Sequence, residues 1–176
     1  MRAFFALPVT GSLQQQLIEQ QSHLQIQMPE PLLRWVPAQN YHLTMAFLAD
    51  ITAADVADLA ASAAAVASRH AALTLTIAEL VWFPSAAKPR YIAALLAEST
   101  ALTALQQDLT EQLKRHTVVL TNESFRPHIT LAVAPRGFQT KAFAARDEPV
   151  QAAVNELVLY ESQHQPTHNH YRPIHA

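Results

Sequence analysis

The chain has 176 residues, 50% of them hydrophobic and 15% charged, with a formal net charge of −2 and no cysteine. That composition supplies a sizeable core, for one domain or for one domain of two similar lobes, and excludes a disordered chain. It also excludes disulfides, a thiolate nucleophile and a Cys-ligated metal, and fits a reducing cytoplasm. With so little net charge, any nucleic acid must be held by a local site.

Residues 2–7 predict a first strand. The apolar run stops at Pro8, too short for a signal-peptide core, and no window approaches a membrane span. Thr10 or Ser12 then caps a helix with Leu13, Leu17 and Leu24 on one side and Gln14, Gln20 and Gln21 on a solvated face. Pro29 and Pro31 end it, and residues 33–36 lead through Pro37 to a strand beginning near His42. Thr52 and Asp55 read as a capping box for an Ala-rich helix running to about Arg69, with Val56, Leu59, Ala63 and Val66 as its apolar stripe.

Residues 73–77 alternate as a strand that can run on to Phe83; 84–89 form a turn and 90–97 the returning strand. Thr100 caps a third helix with Leu102, Leu105, Leu109 and Leu113 on one face. Residues 118–120 predict a short strand or a connection into the next strand, 135–149 a loop and 154–161 a late strand, with 171–174 a candidate for the last one. Helices do not alternate strictly with strands, and the class expected is α+β, mostly antiparallel, with helices on the outer faces.

One pattern is written twice. Asn40-Tyr41-His42-Leu43-Thr44-Met45-Ala46-Phe47 returns half a chain later as Arg126-Pro127-His128-Ile129-Thr130-Leu131-Ala132-Val133. At strand period, His42 and Thr44 share one face while Leu43, Met45 and Phe47 take the other. His128 and Thr130 share a face in the second copy, with Ile129, Leu131 and Val133 opposite. Two imidazoles meeting across a groove suit concerted proton transfer, one accepting from an attacking oxygen and one donating to a departing oxygen. The threonine hydroxyls can donate to a phosphoryl oxygen, and Arg126 falls where it can supply a cation. A lone strand histidine is more often structural; the repetition argues for function.

The chain resembles the two-histidine phosphoesterases, in particular the 2′-5′ RNA ligase family of RNA 2′,3′-cyclic phosphodiesterases. The resemblance runs through Arg2-Ala3-Phe4-Phe5-Ala6-Leu7, Arg34-Trp35-Val36-Pro37, the two His-x-Thr stretches, Lys88-Pro89-Arg90 and Leu157-Val158-Leu159-Tyr160-Glu161-Ser162. It implies one bilobal domain over residues 1–176, with two pseudo-symmetric lobes of mostly antiparallel sheet, outer helices and a central groove. The implied reaction opens a terminal 2′,3′-cyclic phosphate to a 2′-phosphomonoester, with reversal giving a 2′-5′ joint. By that resemblance His42 is the general acid, His128 the general base, and Thr44 and Thr130 hold the non-bridging oxygens.

The resemblance implies no cofactor, no metal, no obligate protein partner and a cytoplasmic location; the partner is an RNA or oligonucleotide with a cyclic-phosphate end. Two departures stand out. Val133 occupies a position where the family often has arginine, leaving Arg126 or Arg136 to compensate, and Ala49 follows Leu48 where Gly is common. Phe4, Phe5, Trp35 and Tyr160 are candidates to stack on a base, Tyr160 foremost. His164, His168, His170 and His175 crowd a tail read as solvated. Competing readings are a phosphodiesterase for another small cyclic phosphate or nucleotide ester, a non-catalytic RNA-end-binding module, and a metal-dependent hydrolase. Neither motif places a carboxylate on the histidine face, which disfavours the last.

Overall fold

The structure is a computed structural model and describes residues 1–29, 31–116, 118–120, 124–144, 151–154, 156–164 and 169–174. Its strands are β1 (Ala3–Pro8), β2 (Arg34–Trp35), β3 (His42–Ala49), β4 (Leu73–Phe83), β5 (Tyr91–Leu96), β6 (Val119–Leu120), β7 (His128–Val133), β8 (Gln151–Val154), β9 (Val158–His164) and β10 (Asn169–Pro173). Its helices are α1 (Gly11–Gln27), α2 (Val56–Ala67) and α3 (Thr100–Leu113).

The strands run in the order β10-β9-β1-β3-β7-β5-β4-β8, with β2 added to β7 and β6 added to β3, and every pairing is antiparallel. This order is a palindrome of roles. β1 and β5 flank the two histidine strands on the outside. The short strand before each histidine strand crosses to pair with the other one. The two-lobed antiparallel architecture expected from the sequence is therefore present, and its pseudo-twofold axis passes between β3 and β7.

Apolar residues at helical spacing cover the sheet. Leu13, Leu17 and Leu24 of α1, Leu59 and Val66 of α2, and Leu105, Leu109 and Leu113 of α3 are all buried. Burial of side chains of this size contributes about 1.5–3 kcal/mol each. Ser99 caps α3, its Oγ accepting from the Leu102 N–H at 3.2 Å, one residue before the cap expected at Thr100. The Asp55 carboxylate accepts from both the N–H and the hydroxyl of Thr52 at 2.7 Å, as the acid of a capping box does.

Four expectations need correction. The single strand expected over 154–161 is two strands, β8 beside β4 and β9 beside β1; Glu156 and Leu157 lie between them outside any strand. Leu7, Leu73 and Leu157 line one small cavity, so the sheet curls enough for a short link to pass from one lobe to the other. The glutamine face of α1 is not simply solvated. Gln20 is buried, Gln14 Nε2 donates to the Ala38 carbonyl at 3.1 Å, and Gln21 Nε2 donates to the carbonyls of Val36 and Leu131 at 2.8 and 3.0 Å. The tail is partly sheet, with β10 pairing on β9; His168 and His175 lie outside the described residues.

The fourth correction concerns facing. Between Phe5 and Ala6 the register on β3 skips Met45, and between Ile92 and Ala93 the register on β7 skips Leu131. Each histidine strand thus carries a bulge at the equivalent residue, three after its histidine. A bulge shifts the alternation by one. Met45 and Ala46, and likewise Leu131 and Ala132, turn to the core, while Phe47 and Val133 swing to the histidine face. Phe47 is accordingly 45% exposed, not buried with Leu43 and Met45. After Ala49, Asp50 takes a left-handed conformation at φ 53°, a role asparagine and aspartate tolerate better than most side chains. Of the loop expected over 135–149, residues 135–144 carry no regular element and the rest lie outside the described residues.

Candidate active site

β3 and β7 are paired through Leu43 and Ile129, both buried on the core face. In an antiparallel pair, residues on either side of a matched pair face each other across the strands. His42 therefore stands opposite Thr130, and Thr44 opposite His128, all on the face away from the core. Each imidazole is held in the same way. The Nδ1–H of His42 donates to the Asn40 carbonyl at 2.7 Å, and the Nδ1–H of His128 donates to the Arg126 carbonyl at 2.7 Å. A carbonyl only accepts, so each ring must carry its proton on Nδ1, leaving Nε2 for chemistry. The hydroxyls of Thr44 and Thr130 make no hydrogen bond within the protein among the described residues, which leaves both available to a ligand.

Aromatic rings wall the two histidines. Phe4 lies 4.9 Å from His42 and stacks on Tyr160 at 5.4 Å, and Tyr171 meets His42 edge-on at 5.0 Å. On the other side Phe83 stacks on His128 at 4.1 Å, with Tyr91 at 6.5 Å. Burial lowers the His42 pKa from 6.5 to about 4; the hydrogen bond to Asn40 opposes that fall and the charge of nearby His128 adds to it. His42 is thus a neutral ring at pH 7. Burial, with a smaller contribution from Glu156, raises the Tyr160 phenol.

The expected site residues fare differently. His42, Thr44, His128 and Thr130 come together at the strand crossing. Tyr160 stands behind Phe4 at 6.4 Å from the His42 ring. Phe5 is buried in the core and Trp35 packs against it, so neither serves as a base platform. Arg126 lines a cavity of about 160 Å³ with Thr44, Phe83 and His128. Its guanidinium is directed sideways, 4.6 Å over the Phe83 ring, and donates to the Pro84 carbonyl at 3.2 Å. Arg136 follows β7 and is exposed.

Phe83, Tyr91 and Tyr171 were not legible as site residues. Their alternation marked them as strand residues, but only the pairings β4 to β5, β5 to β7 and β10 to β9 bring them beside the imidazoles. Among the described residues no group of three or more His, Cys, Asp or Glu side chains is placed to hold a metal, and no helix is long and apolar enough to cross a membrane.

A LigT-like phosphoesterase family model matches residues 7–93. The chain is 31% identical over 170 residues to the RNA 2′,3′-cyclic phosphodiesterase of Geobacillus stearothermophilus, an alignment covering 93% of this chain and 53% of that protein. The chain thus spans about half the length of that relative. It is 27% identical over 189 residues to the enzyme of the same name from Escherichia coli, covering 98% of this chain and 93% of the relative. Among solved structures, Escherichia coli LigT complexed with 3′-AMP superposes with a TM-score of 0.75 at 25% identity, over 99% of this chain and 95% of the other. A protein of Thermus thermophilus shares the fold with a TM-score of 0.82 at 23% identity, over 99% and 96% of the two chains. With both His-x-Thr strands meeting at one crossing in that fold, the chain belongs to the LigT-like phosphoesterase family, within the two-histidine phosphoesterases.

Proposed function

We propose that the protein is a metal-independent RNA 2′,3′-cyclic phosphodiesterase, with residues 1–176 acting as one bilobal domain in the cytoplasm. The observation that carries this reading is the matched pair of imidazoles, each anchored through Nδ1 to the carbonyl two residues before it and each facing the other motif's threonine. Its relatives bear the same activity in their names.

A terminal 2′,3′-cyclic phosphate fits between the rings as a monoanion. Thr44 and Thr130 donate to its non-bridging oxygens. His128 Nε2 takes a proton from water as the water oxygen bonds to phosphorus. His42 gives a proton to the departing 3′ oxygen as the P–O3′ bond breaks, and a 2′-phosphomonoester remains. His42 must be protonated for this step although burial by the protein alone keeps it neutral at pH 7. The phosphate monoanion supplies the opposite charge that favours its imidazolium. With a 5′-hydroxyl end in place of water, the same displacement joins RNA through a 2′-5′ bond: O5′ bonds to phosphorus, the P–O3′ bond breaks and O3′ takes the proton from His42.

The test is an assay of cyclic-phosphate-ended oligonucleotides and 2′,3′-cyclic mononucleotides, with the product identified as the 2′- or 3′-phosphate. Formation of 2′-phosphate, abolished in the His42→Ala, His128→Ala double variant, supports the reading. Binding without turnover by the wild type leaves a non-catalytic RNA-end-binding module. Turnover confined to a non-RNA cyclic phosphate moves the substrate elsewhere.

A further inference from the structure

We propose that the far end of β7 carries a phosphodiester-binding rim centred on Arg34, which holds the nucleotides preceding a cyclic-phosphate end seated at the histidines. The proposal rests on reading the site as one for RNA ends. Arg34 pairs with Val133 across β2 and β7, and its neighbour Trp35 pairs with Ala132 and packs against the core. Successive strand residues face opposite ways, so Arg34 faces the side away from the core. The bulge at Leu131 has turned Val133 to that same side, together with Thr130 and Tyr91. Arg34 is therefore an exposed cation on the face that holds the histidines. At ~3.3 Å per residue it lies roughly 10 Å along β7 from Thr130, beyond the reacting phosphate and over the path of the preceding nucleotides.

Other cations gather at this end. The Arg90 carbonyl accepts from the Ala134 N–H at 2.9 Å, and its guanidinium lies 5.9 Å over the Tyr91 ring. Arg136 follows β7, and Lys88 lies in the turn before β5. Among the described residues none of Arg34, Lys88, Arg90 and Arg136 makes an ion pair. Arg69, Lys114 and Arg172, elsewhere on the surface, each sit on a carboxylate. Arg2, Arg115 and Arg126 are also without an ion pair among the described residues, but four such cations lie at this one end of β7 in a chain of net charge −2. The two-residue strand that carries Arg34 is also held in place. The N–H of Val36 donates to the Leu131 carbonyl at 2.9 Å, and Gln21 joins the carbonyls of both residues. Positioned guanidinium groups beside a half-buried aromatic ring are what a single-stranded backbone binds.

The test compares a 2′,3′-cyclic mononucleotide with a short RNA oligonucleotide ending in the same cyclic nucleotide, for the wild type, Arg34→Ala and Arg34→Lys. The ratio of the two kcat/KM values, oligonucleotide over mononucleotide, is expected to fall about tenfold in Arg34→Ala and to recover in part in Arg34→Lys. Equilibrium binding of an oligonucleotide ending in a 2′-phosphate should weaken in parallel, its log–log dependence on salt becoming shallower by about 0.7. An unchanged ratio together with unchanged oligonucleotide binding overturns the rim. Equal losses on both substrates also overturn it, since Arg34 would then act on the reacting phosphate. If the wild type turns over neither substrate but Arg34→Ala still weakens RNA binding, the hydrolase reading fails and the rim stands.

Discussion

Leu43 of β3 and Ile129 of β7 form the matched pair that joins the two lobes at the site, both buried in the core below it. This one step of register sets each imidazole against the other motif's threonine. A shift of one residue in either strand would turn that strand's histidine into the core.

If the histidines act as general acid and base, His42→Ala and His128→Ala should each lower turnover ~10²–10⁴-fold, and the double variant should lose little more than the worse single one. A substrate with an activated leaving oxygen needs no proton at departure. It should restore His42→Ala and not His128→Ala. The opposite pattern reverses the two roles, and full activity in either variant ends the two-histidine mechanism. The rate should rise and then fall with pH.

Stability should depend on pH through His42. Its folded pKa of about 4 lies below the unfolded value of 6.5, so between these the unfolded chain binds the extra proton. Stability is fully present above about pH 6.5 and is lost as pH falls towards 4, by roughly 3 kcal/mol. Denaturant melts of the wild type and His42→Gln at pH 7 and pH 4.5 check this. The acid loss should be smaller in the variant, and equal losses would locate the linkage elsewhere.

Gln21 should matter more than a surface glutamine does. It is bonded to two carbonyls, one of them that of the bulge residue Leu131. Gln21→Ala should cost about 1–2 kcal/mol and lower kcat more than it raises KM, because β7 carries His128 and Thr130. Gln21→Glu should cost more at pH 7, where a carboxylate meets two carbonyl oxygens, and less near pH 4. Thermal melts with steady-state kinetics separate these cases.

Arg126 should act partly through its neighbour. Its guanidinium lies on Phe83, and Phe83 stacks on His128. Arg126→Ala should raise KM about threefold to tenfold, with the effect shrinking at high salt. An unchanged KM would exclude it as the cation that serves the phosphate in place of an arginine at Val133.

Activity should survive excess chelator, because the two imidazoles and two hydroxyls complete the proton transfers by themselves. Loss of turnover under chelation, restored by one divalent metal, would overturn the metal-independent mechanism.

The sequence by itself determined the repeated His-x-Thr strands, the three helices through their leucine and alanine stripes, and the pairing of a histidine with a threonine on one face. These follow from local periodicity, which a strand or helix keeps wherever it packs. What only the tertiary structure decided depends on contacts between distant segments. The bulges at Met45 and Leu131 reverse the facing of Phe47 and Val133, and they show in the mismatch of register with β1 and β5, not in composition. The split of 154–161 into β8 and β9 depends on the sheet's curl. The glutamines of α1 could not be told from a solvated face, because their partners are backbone carbonyls far along the chain. Arg34 became a site-facing cation for the same reason: β2 pairs with β7, a strand nearly a hundred residues away, and that pairing fixes the direction in which it points.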